Sequence, residues 1–276
     1  MIQYRHEIST EESRRIQRFL YLVASGTTAF ALILLVAFLT ADRWLLLISH
    51  EGERRFVDRY VMLVKNQFLE SSDPVLQRYV EDLTRRIAAH MHPPGDLSIR
   101  VHVVKGPPNA AATLGGHIFV LEGLLHKLDS ENSLAMVLAH ELAHCINRDP
   151  LRSAGRGLLL EIALSSTGGG HLAGNQLIMT RYSREQERAA DQDALLALNA
   201  HYGHIGGATR LFEVLRASDR NSIPATMGPA RDVLSTHPSI DQRIEAIRAS
   251  AAENGWRTLP TRPYPDEVKT ALNSKP

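Results

Sequence analysis

The sequence predicts a mainly helical α+β protein with a small sheet, preceded by a single transmembrane helix. Three observations support this fold class. Residues 19–41 form one uncharged apolar run, several later segments repeat apolar side chains at the spacing of a helix, and two short segments have the patterns of strands. A chain of 276 residues can hold one sizeable core and one appendage.

The uncharged run predicts a membrane anchor. Its 23 residues would reach about 34 Å as a helix, which is enough to cross the hydrocarbon core of a bilayer. A cleaved signal peptide is the alternative, but 18 residues precede the run, and no small-x-small cleavage pattern follows it. We therefore predict an N-terminal tail at residues 1–18 and one retained span at residues 19–41.

Arginine residues flank the run and predict its orientation. Four lie before it and four lie after it within a similar reach: Arg5, Arg14, Arg15 and Arg18, then Arg43, Arg54, Arg55 and Arg59. Three of the first group lie within five residues of the run, and positive charge favours the cytoplasmic side. This predicts a cytoplasmic N-terminus, with the rest of the chain on the periplasmic side of a bacterial inner membrane.

Helices and strands alternate irregularly after the anchor. Residues 54–70 and 74–90 have the periodicity of amphipathic helices. Residues 98–104 alternate at period two and predict a strand. Residues 117–121 predict a second strand, which is entered through two glycines.

Two further segments lack a regular pattern. Residues 151–180 are apolar and rich in glycine, and we interpret them as a mobile flap or a hairpin that leans on the membrane. Residues 256–276 hold four prolines and predict a loose surface tail.

The composition excludes some classes of partner and bond. Basic and acidic side chains number 31 and 30, and no basic stripe with interleaved aromatic residues occurs, so we expect no nucleic-acid partner. Cys145 is the only cysteine, which excludes an intramolecular disulfide. We interpret it as a small buried apolar residue.

Residues 140–144 have the sequence H-E-L-A-H and carry the strongest chemical signal. On a helix that Asp129 or Ser130 would cap, His140 and His144 lie on one face and can bind one zinc ion. Glu141 can then hold a water molecule against the metal and accept its proton. The alternative is an amphipathic helix with two hydrogen-bonded histidines.

A zinc peptidase site needs a third protein ligand and an open fourth position. The downstream carboxylates that could supply this ligand are Glu161, Glu185, Glu187, Glu213 and Glu245. Glu187 stands out because Asp191 follows it at helical spacing, where Asp191 could accept the second N–H of a ligand histidine. The alternative for Glu187 is an exposed charge on a charged helix.

Four segments together resemble the gluzincin metallopeptidases, the family that includes HtpX, the CAAX prenyl proteases and the mitochondrial-type membrane stress peptidases. The resemblance covers roughly residues 50–250. The segments are Asn109-Ala110 followed by G-G-H-I-F-V at residues 115–120, the motif at residues 140–144, residues 182–191, and S-T-H-P at residues 235–238.

The resemblance implies a zincin-like metallopeptidase domain, which we place at residues 42–255. It implies one zinc ion per chain, held by His140, His144 and Glu187, with Glu141 as the general base. It further implies that the strand at residues 117–121 is an edge strand that pairs with an extended substrate backbone.

His237 is a second candidate catalytic residue. Family resemblance suggests that its imidazole either occupies the open zinc position as a self-inhibiting latch or stabilises the oxyanion. We favour the latch, because a peptidase of broad specificity needs restraint at rest. A histidine that only helps to cap the following helix is the alternative.

The predicted function is a membrane-anchored zinc endopeptidase that hydrolyses peptide bonds of misfolded or damaged membrane and envelope proteins. Its expected partners are protein or peptide substrates and, through one span, the lipid bilayer. One alternative is a zinc-stabilised assembly factor or chaperone with latent peptidase activity. Another is a specific processing enzyme such as a prenyl-protein protease, although a single span argues against an enclosed membrane chamber.

Overall fold

The structure is a computed structural model, which describes residues 10–40, 43–44, 47, 49–55, 73–106, 110–112, 114–153, 182–219 and 240–274. Several predictions lie outside the described residues: most of the helix at residues 54–70, nearly all of the flap at residues 151–180, and the S-T-H-P segment with His237.

The N-terminal helix α1 spans Thr10–Leu39. It is the one helix among the described residues that is long and apolar enough to cross a membrane. Its large apolar side chains are exposed, as Phe19 at 65% and Ile33 at 65% illustrate. The predicted anchor is therefore a helix, but it begins at Thr10, so part of the predicted N-terminal tail is helical.

Helix α2 spans Pro74–Ala88. Asp73 caps it, because the Asp73 carboxylate accepts hydrogen bonds from the backbone N–H groups of Val75 and Leu76. Proline at the first helical position needs no N–H donor there. The buried face of α2, which includes Val80 and Leu83, packs in the hydrophobic core.

Three strands form one sheet: β1 at Arg100–Val104, β2 at Ala110–Ala112 and β3 at His117–Leu121. The strand order is β1-β3-β2, with β1 parallel and β2 antiparallel to β3. The prediction that β3 is an edge strand is wrong. Strand β3 pairs with β1 on one side and with β2 on the other, and all five of its residues are buried. In the described part of the chain, the edges are β1 and β2.

The outer edge of β1 is capped by a side chain. The Gln77 amide donates to the Val101 carbonyl at 2.8 Å, and its oxygen accepts from the Val103 N–H at 2.8 Å. A single carboxamide thus takes the place of a neighbouring peptide group. This leaves β2 as the edge that side chains of α2 do not cap.

Helix α3 at Glu122–Lys127 follows the sheet, and helix α4 at Glu131–Ile146 runs through the centre of the core. Fifteen residues of α4 are buried. Ser130, rather than Asp129, is its N-cap, and its hydroxyl accepts from the Ser133 N–H. Arg148, with φ of 57°, reverses the chain after α4.

Helix α5 at Arg184–Tyr202 packs against α4. A capping box between Ser183 and Gln186 begins it, and Gly203 in the left-handed conformation ends it. Ala190 is buried, and Ala189 is exposed.

Three shorter helices follow α5 among the described residues. They are α6 at Arg210–Asp219, α7 at Ile240–Glu253 and α8 at Asp266–Asn273. Ile244 and Ile247 of α7 are buried, as their spacing predicts.

The prediction of a loose C-terminal tail is wrong. Helix α8 packs against α2 and buries Val268 and Leu272. Tyr264 is also buried and meets the ring of Tyr79 edge to face, with centroids 5.9 Å apart. Prolines stop regular structure between α7 and α8, but the apolar residues among and after them still join the core.

Candidate metal centre and active site

The two histidines of α4 converge on one point in the protein interior. Their side chains lie one helical turn apart, and the Nε2 atoms of His140 and His144 are 3.1 Å from each other. Both residues are buried. Tyr182 stacks on the His144 ring with centroids 3.9 Å apart, which holds the plane of that ring.

Carboxylates fix the orientation of both rings. His144 Nδ1 lies 2.8 Å from Asp149 Oδ2, and His140 Nδ1 lies 3.1 Å from Asp191 Oδ1. An ionised carboxylate can only accept, so each Nδ1 is the donor and carries the proton. The lone pair of each Nε2 atom then points toward the other ring.

Glu187 on α5 closes the cluster. Its carboxylate oxygens lie 3.5 Å from His140 Nε2 and 3.6 Å from His144 Nε2. One ligand atom from each of these three residues lies within 4.8 Å of the others. Among the described residues, this is the one group of three or more His, Cys, Asp or Glu side chains that could hold a metal ion.

Arg243 of α7 borders the cluster on the side of α5. Its guanidinium donates two hydrogen bonds to Asp191, at 2.7 and 2.6 Å, and forms an ion pair with Glu187. It also lies over the Phe212 ring, 4.4 Å from the centroid. Arg243 therefore holds the carboxylates of Glu187 and Asp191 in place.

The pKa values show which charge the cluster favours. Burial raises the pKa of Asp191, but Arg243 outweighs this effect and lowers it. Burial and Arg243 lower the pKa of His140, but hydrogen bonds to Asp191 and Glu187 outweigh them and raise it to about 9. The carboxylates thus stabilise a positive charge beside the two Nε2 atoms, either a proton or a metal ion.

The donor set fits zinc. Two imidazole nitrogens and one carboxylate, with both imidazoles oriented by further carboxylates, are the ligands of a catalytic zinc site with one open position. The same set at Nε2 separations near 3 Å would repel without a cation, because two lone pairs would face each other. These residues therefore fit a metal ion, and zinc is the ion that we propose below.

Glu141 and Cys145 are two further buried residues of α4. Glu141, next to His140, is buried at 3% exposure. Cys145 is buried and its thiol is free. Burial, followed by the charges of Glu141, Glu53 and Asp149, raises the pKa of the Cys145 thiol. A thiol of this kind stays protonated, in agreement with its interpretation as a small apolar residue.

Residues 73–251 match the sequence profile of peptidase family M48, which is more than half of the chain. The chain belongs to peptidase family M48. The predicted metallopeptidase family is therefore confirmed, and the match covers the sheet and helices α2 to α7.

Named relatives agree with this assignment. The M48 chain is 33% identical to the mitochondrial metalloendopeptidase OMA1 of Schizosaccharomyces pombe over 61% of this chain and 51% of the relative. It is 26% identical to the beta-barrel assembly-enhancing protease of Escherichia coli over 72% of this chain and 44% of the relative. It is 29% identical to a protease HtpX homolog of Pyrococcus abyssi over 67% of this chain and 76% of the relative. The chain thus spans about half the length of the first two relatives.

The structure brings together four of the predicted site residues and adds others. His140, His144, Glu187 and Asp191 form one cluster, as predicted, and Glu141 lies on the same helix as the histidines. Sequence reasoning missed four contributors: Asp149, Tyr182, Gln186 and Arg243. The Asp149 carboxylate orients His144 and accepts from the Gln186 amide at 2.8 Å.

A spacing signal could have identified Asp149. It lies five residues after His144, within reach across the end of the helix. Arg243 had no such signal, because it is 52 residues from Asp191 in the chain and only the packing of α7 on α5 brings it there.

Proposed function

We propose that this chain is a membrane-anchored zinc endopeptidase that cleaves misfolded or damaged proteins of a membrane or cell envelope. The observation that supports it most is the convergence of two imidazole Nε2 atoms and the Glu187 carboxylate, with Glu141 beside them on α4. Metalloendopeptidases and an assembly-enhancing protease among its relatives support the class of reaction.

The proposed ligands are His140, His144 and Glu187, and Asp191 and Asp149 would orient the two imidazoles. A bound zinc ion would polarise the scissile carbonyl and lower the pKa of a water molecule at the open position. Glu141 accepts the proton of the attacking water and delivers it to the leaving amine. Burial of Glu141 keeps bulk water from competing for that proton.

Substrate would bind to the edge of β2 rather than to β3. Strand β2 lies against α4 and is one of the two sheet edges in the described chain. The other edge, β1, is already capped by Gln77. An extended peptide added to β2 would be held mainly by backbone hydrogen bonds, which gives broad sequence specificity.

The general-base role is tested by Glu141→Gln in the full chain, purified in detergent. The variant should keep zinc, measured by mass spectrometry, and should lose casein cleavage and self-cleavage by about 10²-fold or more. Cleavage at the wild-type rate would contradict the proposal. Rescue of a deletion strain by the inactive variant would instead favour the chaperone alternative.

A role for His237 at the active site is a proposal that rests on the sequence. If it is a latch on the zinc, His237→Ala should increase casein cleavage. If it stabilises the oxyanion, the same change should lower kcat by about 10²–10³-fold. An unchanged rate would exclude both roles.

The orientation also remains a proposal. With a cytoplasmic N-terminus in a bacterial inner membrane, protease added to spheroplasts should digest the peptidase domain. Protection until lysis would place the domain on the cytoplasmic side.

A further inference from the structure

A buried carboxylate lies close to the membrane anchor and far from the cluster in sequence. Glu53 belongs to a short helical segment at residues 50–55, which follows α1. It is 7% exposed, although its carboxylate would be better solvated in water. Burying a carboxylate is unfavourable unless charged or N–H donors surround it.

The donors to Glu53 come from two different parts of the domain. One oxygen, Oε1, accepts the backbone N–H of Gly115 at 2.9 Å. The other, Oε2, accepts from Arg148 through Nε at 3.1 Å and a terminal nitrogen at 2.8 Å. Arg148 is itself buried at 8% exposure.

Both partners occupy positions that affect the site. Gly115 lies in the single helical turn, Leu114–Gly116, that joins β2 to β3. Arg148 follows α4 and immediately precedes Asp149, the residue that orients His144. Glu53 is therefore a bridge between the turn at the end of the β2 edge and the end of the metal-binding helix.

The turn has a backbone conformation that favours glycine. Gly115 and Gly116 both have positive φ, at 72° and 78°. A side chain at Gly116 would collide with the carbonyl oxygen of Ser98. The backbone thus needs glycine here, and glycine loses more conformational freedom on ordering than other residues, so an external hydrogen bond has much to restrain.

The segment that carries Glu53 is docked at a second point. His50 Nδ1 lies 2.9 Å from Asp96 Oδ2, in the loop before β1. The segment next to the anchor is therefore attached to the domain through two side chains, His50 and Glu53.

We infer that Glu53 is a positioning residue, which sets the spacing between the substrate-binding edge of β2 and the metal-binding helix α4. This inference rests on the proposed peptidase function. Glu53 acts through Gly115 on the edge strand and through Arg148 on the end of α4. The segment beside the membrane is thereby a part of the active-site framework.

Two double variants of the full chain separate the Gly115 bond from the ion pair. Glu53→Gln with Arg148→Met and Glu53→Met with Arg148→Met both lack the ion pair, and neither leaves a buried charge without its partner. Only the glutamine retains an oxygen that can accept from the Gly115 N–H. The two proteins are therefore matched except for this hydrogen bond.

Cleavage of a quenched-fluorescent peptide, with zinc content and melting temperature measured in parallel, should distinguish them. We expect the methionine double variant to have a kcat/KM about tenfold below that of the glutamine variant, the factor that corresponds to one hydrogen bond. The loss should appear mainly in KM, with zinc content unchanged, because the displaced element is the substrate edge. Equal kcat/KM values would overturn the inference.

Hydrogen exchange supplies a readout that does not depend on activity. Amides of residues 114–121 should exchange faster in the methionine variant than in the glutamine variant. Equal exchange would overturn the inference, whether or not the protein cleaves peptides. Absence of Glu141-dependent cleavage in the wild-type protein would contradict the proposed function alone. If a double variant does not fold, the single variants Glu53→Gln and Glu53→Met are compared, because both lose the ion pair with Arg148 and they differ in the same hydrogen bond; equal exchange at residues 114–121 would overturn the inference.

Discussion

The two ends of α4 each bury a carboxylate cluster, but the clusters differ in how their charges are balanced. At the N-terminal end, Glu131 accepts from the hydroxyls of Tyr79 and Tyr202 at 3.1 and 3.0 Å. It also pairs with Arg86 at 3.3 Å and Arg262 at 3.1 Å. Each Glu131 oxygen is bound by one phenol and one guanidinium.

At the C-terminal end, the carboxylates surround imidazoles instead. Asp149 and Asp191 bind the Nδ1 atoms, and Glu187 faces the Nε2 atoms. Glu131 and Glu187 have nearly the same exposure, 3% and 2%. Burial of charge therefore does not distinguish a site from a structural anchor, whereas the presence of convergent lone pairs does.

The N-terminal cluster also attaches the C-terminal segment of the chain. The Glu131 N–H donates to the Arg262 carbonyl at 2.8 Å, and the Arg262 N–H donates to the Asn132 side chain at 2.7 Å. This end of α4 thus holds the fold together, and the opposite end holds the proposed metal. Changes at the two ends should have separable effects on stability and on zinc.

Loss of a proposed ligand should have the largest effect. Glu187→Gln keeps the size of the side chain but removes the negative charge that faces His140 and His144. Zinc affinity should fall by more than about 100-fold, the upper range for loss of a partner that only orients a ligand, and peptide cleavage should fall with it. Zinc content by mass spectrometry after dialysis checks this, and full retention of zinc would show that another residue is the third ligand.

Loss of an orienting carboxylate should have a smaller effect at the same end. Asp149→Asn can still bind the His144 ring, but its amide can present a donor where the ring needs an acceptor. We expect zinc affinity to fall by about 10–100-fold. Titration against a fluorescent zinc chelator measures this, and Asn147→Ala, at the adjacent helix end, is a control that should leave the affinity near the wild-type value.

The sequence predicts the site residues that share one helical turn and misses those that reach the site through tertiary packing. His140, Glu141 and His144 lie on one turn of helix, so their spacing alone predicts a shared face. Glu187 and Asp191 repeat that spacing, and the resemblance joined them to the histidines. Arg243 and Glu53 reach their partners only through tertiary packing, which no local spacing encodes.

The fold shows the same division. The helical periodicity from residue 74 and the alternation at residues 98–104 predicted α2 and β1, because both patterns are local. The strand order was not predicted from the sequence. Strand β3 is central because β2, which is only three residues long, pairs with its second side. The C-terminal segment was predicted as loose from its prolines, yet Tyr264 and Leu272 are buried, since apolar residues outweigh the lack of regular structure between them.

A change at the structural end should lower stability without affecting zinc. Glu131→Gln keeps one acceptor oxygen, loses the charge that Arg86 and Arg262 bind, and places an NH2 donor where the second oxygen accepted. We expect the free energy of unfolding to fall by about 2 kcal/mol, with zinc stoichiometry unchanged. Chemical denaturation of the full chain in detergent measures the first, and a parallel loss of zinc would contradict the separation of the two ends.

The same variant has a defined pH dependence. Burial raises the pKa of Glu131, but the hydroxyl of Tyr202 and the charge of Arg86 outweigh it and lower the pKa below its ordinary value of 4.5. A lowered folded pKa means that the ionised form stabilises the fold above pH 4.5, and that this contribution is lost as the pH falls through the folded pKa. The difference between the wild-type protein and Glu131→Gln should therefore be full at pH 7 and should decrease as the pH falls below 4.5.

The smallest expected effect is the loss of one helix cap, and it gives the most closely matched comparison. Ser130→Ala removes the hydroxyl that accepts from the Ser133 N–H and contacts the Ser133 hydroxyl at 2.7 Å. Ser183→Ala removes the corresponding hydroxyl at the start of α5, where it accepts from the Gln186 N–H. Each change should lower the free energy of unfolding by about 1 kcal/mol.

Only the second cap borders the proposed metal centre. Gln186 donates its backbone N–H to the Ser183 hydroxyl, and its side-chain amide donates to Asp149, which orients His144. Ser183→Ala should therefore also weaken zinc binding, by a factor within the roughly tenfold lower range for an orienting contact, whereas Ser130→Ala should leave zinc affinity unchanged. Equal zinc affinities in the two variants, at equal losses of stability, would contradict a link between the Ser183 cap and the proposed metal centre.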